Sequence, residues 1–383
     1  MRYIWQHIQV IVTTYNGSVP LTHFLRNYYK QYPKLGSRDR RILSEMAYCW
    51  YRCSKGFDAA MPFEEKLKAC LFLCETENKQ CIGFLPQGWQ QAKGLSLADK
   101  YAILQKEGIL FNIEDIALFH TALSGGITKE EWRTSMLSQP FLFIRLRKHK
   151  DKALQLLRDN AIDYSEDGNC IGIKNGTAIE KILPADWYVV QDASSQHTGS
   201  FFNPEPRQEW WDCCSGAGGK SLLLSDKQPK VHLTVSDKRS SILHNLSERF
   251  RQYGYISPRQ LVLDTADAGA VQHALGNTRF ARIICDVPCT GSGTWARTPE
   301  QLYFFNEAAI ATISALQAAI AINASKYLKA GGLMYYITCS VFEAENEAVV
   351  TQLQQQGMKL QDMVLVNGIG QKADSMFIAV LQK

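Results

Sequence analysis

From about residue 190 to its end, the chain alternates short apolar runs with stretches of helical period, and that alternation leaves few folds open to it. Glu209–Cys213, Val231–Ser236, Leu261–Leu263, Arg282–Cys285 and Leu333–Ile337 read as buried strands, with Met376–Leu381 as a final one. Strands separated by helices predict an α/β domain built on a mainly parallel sheet. Such a sheet binds ligands outside the carboxyl ends of its strands. Residues that directly follow a strand are therefore the candidates for chemistry. Two of them are cysteines: Cys289 in Asp286-Val287-Pro288-Cys289-Thr290-Gly291-Ser292-Gly293, and Cys339 in Tyr336-Ile337-Thr338-Cys339-Ser340. Taken singly, a free cysteine is more often a buried, inert side chain than a nucleophile. The polar residues around both cysteines shift the balance.

The first strand of this domain runs into Cys213-Cys214-Ser215-Gly216-Ala217-Gly218-Gly219-Lys220-Ser221. A glycine-rich turn between strand and helix lets the backbone approach a ligand and aims helix N–H groups at it. It is not a Walker loop, which needs glycine where Cys214 stands, and the dinucleotide fingerprint fails at Ser221. Asp237 ends the next strand, where an acid can hold ribose hydroxyls, and Asp264 ends the third, where it can face an adenine. Three successive strand–helix junctions of this kind point to an adenosine-bearing cofactor.

The rest of the chain reads as two smaller pieces. Residues 1–135 are helical in period, with Leu21, Phe24, Leu25, Tyr28 and Tyr29 on one face and Ser37 as the expected cap of a helix through Ile42, Leu43, Met46 and Trp50. Residues 140–185 read as a small α+β module, with strands Phe141–Leu146 and Cys170–Ile173 around a helix Asp151–Asn160. This module carries Arg145, Arg147, Lys148, His149, Lys150 and Lys152 within eight residues, a density that can neutralise several phosphates. A solvated charged face is the competing explanation. The catalytic domain is expected over 190–383. Cys49, Cys53, Cys70, Cys74 and Cys81 lie among apolar residues at spacings unlike a zinc knuckle, so packing rather than metal binding is expected. At 46% hydrophobic and 21% charged residues the chain has the balance of a soluble globular protein, with a net charge of +5 that permits a nucleic-acid partner. No apolar run approaches the ~20 residues of a membrane span, and Met1–His7 shows no signal-peptide pattern. A cytoplasmic, monomeric protein with reduced thiols is expected.

The stretch from Gln191 to Asn346 resembles the RNA 5-methylcytosine methyltransferases of the NOL1/NOP2/Sun family, with the bacterial Fmu/Sun (RsmB-type) enzymes among them. The resemblance rests on Gln191-Asp192-Ala193-Ser194-Ser195-Gln196, on Gly218-Gly219-Lys220, on Asp286-Val287-Pro288-Cys289 with Gly291, Gly293, Arg297 and Pro299, and on Thr338-Cys339-Ser340 with Glu345-Asn346. Lys34–Arg41 resembles part of the NusB-like helical domain of bacterial members, and residues 140–185 their small RNA-recognition-like insert. Departures are Ala217 in place of proline, Val287 in place of alanine, Ala296-Arg297 in place of paired arginines, and a shortened C-terminal aromatic-Pro-His segment.

The resemblance implies a class I fold that uses S-adenosyl-L-methionine (SAM), a Rossmann-like sheet with an antiparallel last strand. It implies Cys339 as nucleophile on C6 of cytosine, Cys289 in release, and Asp286 in contact with the base. Cys214 to Lys220, Asp237, Asp264 and Asp286 would hold SAM; Arg145, Arg147, Lys148, Lys150 and Arg297 would meet RNA, ribosomal RNA being the favoured target. Two alternatives remain at this point: an inactive RNA-binding or ribosome-assembly factor on the same fold, and a nicotinamide-dependent oxidoreductase.

Overall fold

The computed structural model describes residues 2–74 and 76–383, which fall into two compact units. The first is helical. It comprises the chain up to His120, Thr128–Gln139, and the segment Thr294–Glu307 from the C-terminal half of the sequence. Its longest helix, Ser37–Cys53, buries Ile42, Leu43, Met46, Ala47, Cys49 and Cys53 at helical spacing. Ser37 is the first helical residue rather than the cap; Gly36 holds the cap position and donates its N–H to Asp39 Oδ2 at 3.1 Å. Near the other end, Arg52 is buried and donates to the carbonyls of Met136 at 2.7 Å and Ser138 at 3.1 Å, which ties Thr128–Gln139 to this helix. The cysteines at 49, 53, 70, 74 and 81 all lie in the core of this unit.

The second unit holds two sheets. The small one is antiparallel, formed by β1 (Leu142–Leu146), β2 (Tyr164–Asp167), β3 (Cys170–Ile173) and β4 (Tyr188–Val190) in the order β2-β3-β1-β4. The helix Lys150–Asp159 packs Ala153, Leu154 and Leu157 against Ile144, Leu146 and Ile171. Strand β4 pairs with β1 although it lies beyond residue 185. β2 has no legible apolar face, since three of its four residues are exposed.

The large sheet contains β5 (Glu209–Asp212), β6 (His232–Asp237), β7 (Arg259–Val262), β8 (Phe280–Asp286), β9 (Leu328–Thr338), β10 (Lys359–Val366) and β11 (Met376–Gln382), in the order β10-β11-β9-β8-β5-β6-β7. β5 to β9 pair in parallel, and β11 runs against both β9 and β10. Alternate residues of the central strands feed two cores, as the two-residue period of a strand requires. Trp211, Ile283 and Tyr336 face one, with Ala318 and Ala321 of the helix Ala309–Ser325. Trp210, Ile284 and Tyr335 face the other, where Trp210 and Tyr335 stack at 5.5 Å. Burial on both faces is why these strands read as continuous apolar runs. The chain leaves β5 toward β6 and β7 on one side and returns to β8 on the other, so β5 and β8 flank the switch point where a ligand binds.

The two sheets are joined by an ion pair. Asp226, on the helix Gly219–Lys227, accepts from Arg145 Nη1 at 2.5 Å, Arg147 Nη2 at 2.7 Å and Tyr255 Oη at 2.7 Å. Arg147 also lies 4.5 Å from the Tyr253 ring centre. The sequence groups these arginines with the phosphate-binding cluster; the structure instead commits both to an internal carboxylate. Burial alone would raise the Asp226 carboxyl, but Arg147 and Arg145 hold it below the usual carboxylate range. A lowered folded-state value means the pair stabilises the protein above the unfolded carboxyl pKa and loses that contribution as pH falls through the folded value. Asp226→Asn should therefore cost roughly 3–5 kcal/mol at pH 7, because it leaves two buried cations poorly paired. Urea denaturation should show the gap to the parent narrowing in acid; a variant as stable as the parent at pH 7 would make the junction dispensable.

Candidate active site

β8 and β9 are parallel neighbours, with Asp286 level with Ile337, so the residues after each strand emerge side by side. Cys339 follows β9 and Cys289 lies three residues past β8. Their sulfurs stand 2.9 Å apart, and the Cys339 N–H donates to Cys289 Sγ at 3.3 Å. Both side chains are half-buried. The contact with Cys339, burial, and the nearby Glu345 charge push the Cys289 thiol well above its ordinary value, a direction that favours its protonated form.

What holds the two loops is a carboxylate beneath them. Glu345 is fully buried and accepts from Thr290 N at 2.9 Å, Thr290 Oγ1 at 2.5 Å, Ser340 Oγ at 2.6 Å and Gln317 Nε2 at 2.8 Å. Thr290 follows Cys289 and Ser340 follows Cys339, so one side chain fixes both cysteines. Asn346 adds a second tie, accepting from Thr338 Oγ1 at 2.6 Å and donating to Ser340 O at 2.9 Å. Gly293 closes the Cys289 loop by donating its N–H to Cys339 O at 2.9 Å. A Cβ there would collide with the carbonyl of Ser375, so only glycine allows this approach.

Beside the cysteines, Lys220 is buried and reaches Asp286 Oδ2 at 3.1 Å and Ser195 Oγ at 3.0 Å. The sequence assigns Lys220 to a cofactor loop; the structure turns its ammonium toward the carboxylate next to the cysteines. The glycine turn behaves as its composition requires: Gly216 and Gly218 take φ of 51° and 82°, and a Cβ on Gly218 would crowd Leu246. On the other side of Asp286 lies a cavity of about 330 Å³, lined by Cys214, Gly216, Asp237, Asp264, Asp286 and Pro288 among others. Burial would raise the Asp237 carboxyl, but the bidentate Arg239 guanidinium, with contacts of 3.0 Å, holds it low. Of the cofactor-loop candidates, Cys214 and Gly216 line this cavity.

The structure does not bring the expected RNA contacts together. Arg145 and Arg147 are buried on Asp226. Lys148 and Lys150 are partly exposed and paired with Asp186 at 3.2 Å and Glu166 at 2.8 Å. Arg297 belongs to the helical unit, on Thr294–Glu307.

Three polar residues at the site have roles that the sequence does not show. Glu345 sits in a stretch whose motif value was legible, but not its role. Gln317 sits in an otherwise apolar helix, where a lone amide is the available signal. Asp212 ends β5 and is 1% exposed; its Oδ2 accepts from Ser221 Oγ at 2.6 Å, and its Oδ1 has no hydrogen bond among the described residues. Burial, with the Asp286 charge adding, lifts its carboxyl to about 7. Strands β5, β6 and β8 thus each end in an acid, with Asp264 two residues past β7.

Residues 200–381 match the family model for 16S rRNA methyltransferase RsmB/F. Over that stretch the chain is similar to the RsmB/F methyltransferases. The ribosomal RNA small subunit methyltransferase B of Serratia proteamaculans is 31% identical over 212 residues, 54% of this chain and 48% of that protein. Its counterpart in Erwinia tasmaniensis is 27% identical over 225 residues, 57% and 52% of the two chains. The chain thus spans about half the length of the curated relatives it matches. Among solved structures, PH0851 superposes with a TM-score of 0.69 over 95% of both chains at 17% identity. NSun6 from Pyrococcus horikoshii, solved with SFG, does so at 0.58 over 66% of this chain and 94% of that one, at 16% identity. At these identities the likeness is one of fold, and it identifies the large sheet of the RsmB/F-type domain as the class I methyltransferase sheet.

Glu345→Gln keeps the volume but sets an amide N–H₂ against groups that donate to the carboxylate. Each buried donor left unpaired costs about 1–3 kcal/mol, so the variant should lose roughly 2–5 kcal/mol in urea denaturation. An unchanged midpoint would mean that Glu345 does not hold the two cysteine loops.

Proposed function

We propose that this chain is a SAM-dependent RNA methyltransferase acting on C5 of cytosine through a covalent adduct with Cys339. The observation that carries this reading is the contact of two cysteine sulfurs at 2.9 Å beside a carboxylate held by a buried lysine. C5 of cytosine is a poor nucleophile. A sulfur added at C6 turns the ring into an enamine, and C5 then becomes reactive. Cys339 is read as that sulfur. Asp286, fixed by Lys220, is read as the group that meets the base at N3, and it passes on to N3 a proton from the Lys220 ammonium as charge enters the ring. Release needs loss of the C5 proton and expulsion of the Cys339 sulfur, with N3 returning its proton. Cys289, which touches that sulfur, is read as giving its thiol proton to the departing Cys339 sulfur and taking up the C5 proton in its place.

The cavity beside Asp286 fits SAM in chemistry: acids for ribose and adenine donors at Asp237 and Asp264, and a positive-φ glycine where backbone must come close. SAM supplies an electrophilic methyl group. The chain's own residues orient the base against it and exclude water. A base in a duplex cannot present C6 to a thiol, so the target is unpaired or flipped. The names of the relatives favour RNA of the small ribosomal subunit, and with it a cytoplasmic site of action. Lys148 and Lys150 remain as phosphate contacts, and the helical unit is read as a NusB-like RNA-binding domain. Bisulfite sequencing of RNA from a deletion strain would map the methylated cytidine.

The two cysteines should fail differently. Cys339→Ala should form neither adduct nor product. Cys289→Ala should attack and transfer the methyl but release slowly, so that a protein–RNA band accumulates on a denaturing gel when SAM is present. The double variant should show no band. A band from Cys339→Ala alone would reverse the roles, and wild-type methylation by Cys339→Ala would remove the thiolate mechanism.

A further inference from the structure

Among the described residues, nothing accepts the hydroxyl proton of Ser195. Arg145 Nε donates to Gln191 Oε1 at 2.9 Å. A guanidinium has donors only, so that atom of the Gln191 amide is its oxygen, and the atom 3.3 Å from Ser195 Oγ is its NH₂ group. Lys220 Nζ, also a donor only, stands 3.0 Å from the same Oγ. Both lone pairs of the Ser195 hydroxyl are therefore engaged by donors, and its proton must point to a third partner. Among the described residues no acceptor takes it. Ser195 is only half-buried, so the proton is open to a ligand.

Its position narrows which ligand. Lys220 bridges Ser195 to Asp286, so the hydroxyl sits one ammonium away from the carboxylate beside the cysteines. The cavity lined by Cys214, Asp237, Asp264 and Asp286 does not include Ser195 or Lys220. Its neighbours Ser194 and Gln196 line a separate, wider groove. The hydroxyl thus does not line that cavity, and one ammonium from Asp286 it is within reach of a base held there. On a cytosine edge held at N3 by Asp286, the adjoining acceptor is the carbonyl O2. Addition of sulfur at C6 sends charge through N3 onto O2, so a fixed donor there acts most strongly in the transition state.

We propose that Ser195 donates its hydroxyl proton to O2 of the target cytosine and stabilises the charge that develops there; this rests on the C5 reaction proposed above. Removing one such preorganised donor costs on the order of 100-fold in rate. The test uses a synthetic RNA carrying the cytidine mapped by bisulfite sequencing, and the same RNA with 2-thiocytidine at that position, since sulfur is a poor acceptor. Single-turnover methylation by the parent should be slowed about tenfold or more by the thio substitution. Ser195→Ala should be slow on cytidine, show no further slowing on 2-thiocytidine, and bind SAM in calorimetry as the parent does. Ser195→Thr should restore both the rate and the sensitivity to sulfur. A merely structural role would leave the thio penalty the same in parent and variant, and that result overturns the contact alone. So does loss of SAM affinity in Ser195→Ala, which would give the hydroxyl to the cofactor. A parent that leaves the cytidine unmethylated overturns the reaction and the contact together.

Discussion

A fully buried carboxylate organises the chemistry of this protein. Glu345 accepts hydrogen bonds from the residue after each of the two touching cysteines and from Gln317 on the long helix Ala309–Ser325. Burying such a group is costly unless its lone pairs are filled, and here donors from three separate segments fill them. The sulfur contact at 2.9 Å, the N–H bond from Cys339 to Cys289 and the glycine closure at Gly293 all depend on the two loops being held in this register. Neither loop could hold its cysteine by local backbone preference alone, since each leaves its strand as irregular chain.

A second network reaches the same site from the small sheet. Arg145 bonds Asp226 with one edge of its guanidinium and Gln191 with another. Gln191 bonds Ser195, Ser195 accepts from Lys220, and Lys220 holds Asp286. A side chain that the sequence groups with phosphate ligands therefore anchors a line of hydrogen bonds that ends at the carboxylate beside the cysteines. This anchor ties the small sheet to the unit that holds the large one. Lys148, His149 and Lys152 are exposed and Lys150 is partly so, with Lys148 and Lys150 paired to Asp186 and Glu166 at the surface.

Much of the large sheet was legible because burial on both faces writes continuous apolar runs, as in Arg282–Cys285 and Leu333–Ile337, and because site residues fall at their carboxyl ends. β10 was not, since Lys359–Val366 is an edge strand with most residues exposed and no alternation to betray it. The small strand β2 was missed for the same reason. Cys289, Cys339, Asp286 and the acids at 237 and 264 could be placed by their position after strands. Glu345, Gln317 and Asp212 could not, because their importance comes from partners distant in sequence. The fate of Arg145 and Arg147 was hidden for a related reason: composition shows a basic cluster, but only folding reveals that Asp226, 81 and 79 residues away, claims two of its members.

The central claim is that Cys339 is the sulfur that bonds the base and Cys289 the sulfur that assists its departure. It is tested most directly by trapping the intermediate on the wild-type protein with RNA carrying 5-fluorocytidine at the target, where fluorine cannot leave C5 as a proton does. Mass mapping of the digested adduct should find the nucleotide on the peptide containing Cys339, methylated at C5. Attachment to the peptide containing Cys289, or no covalent adduct from a protein that methylates cytidine, would contradict the account.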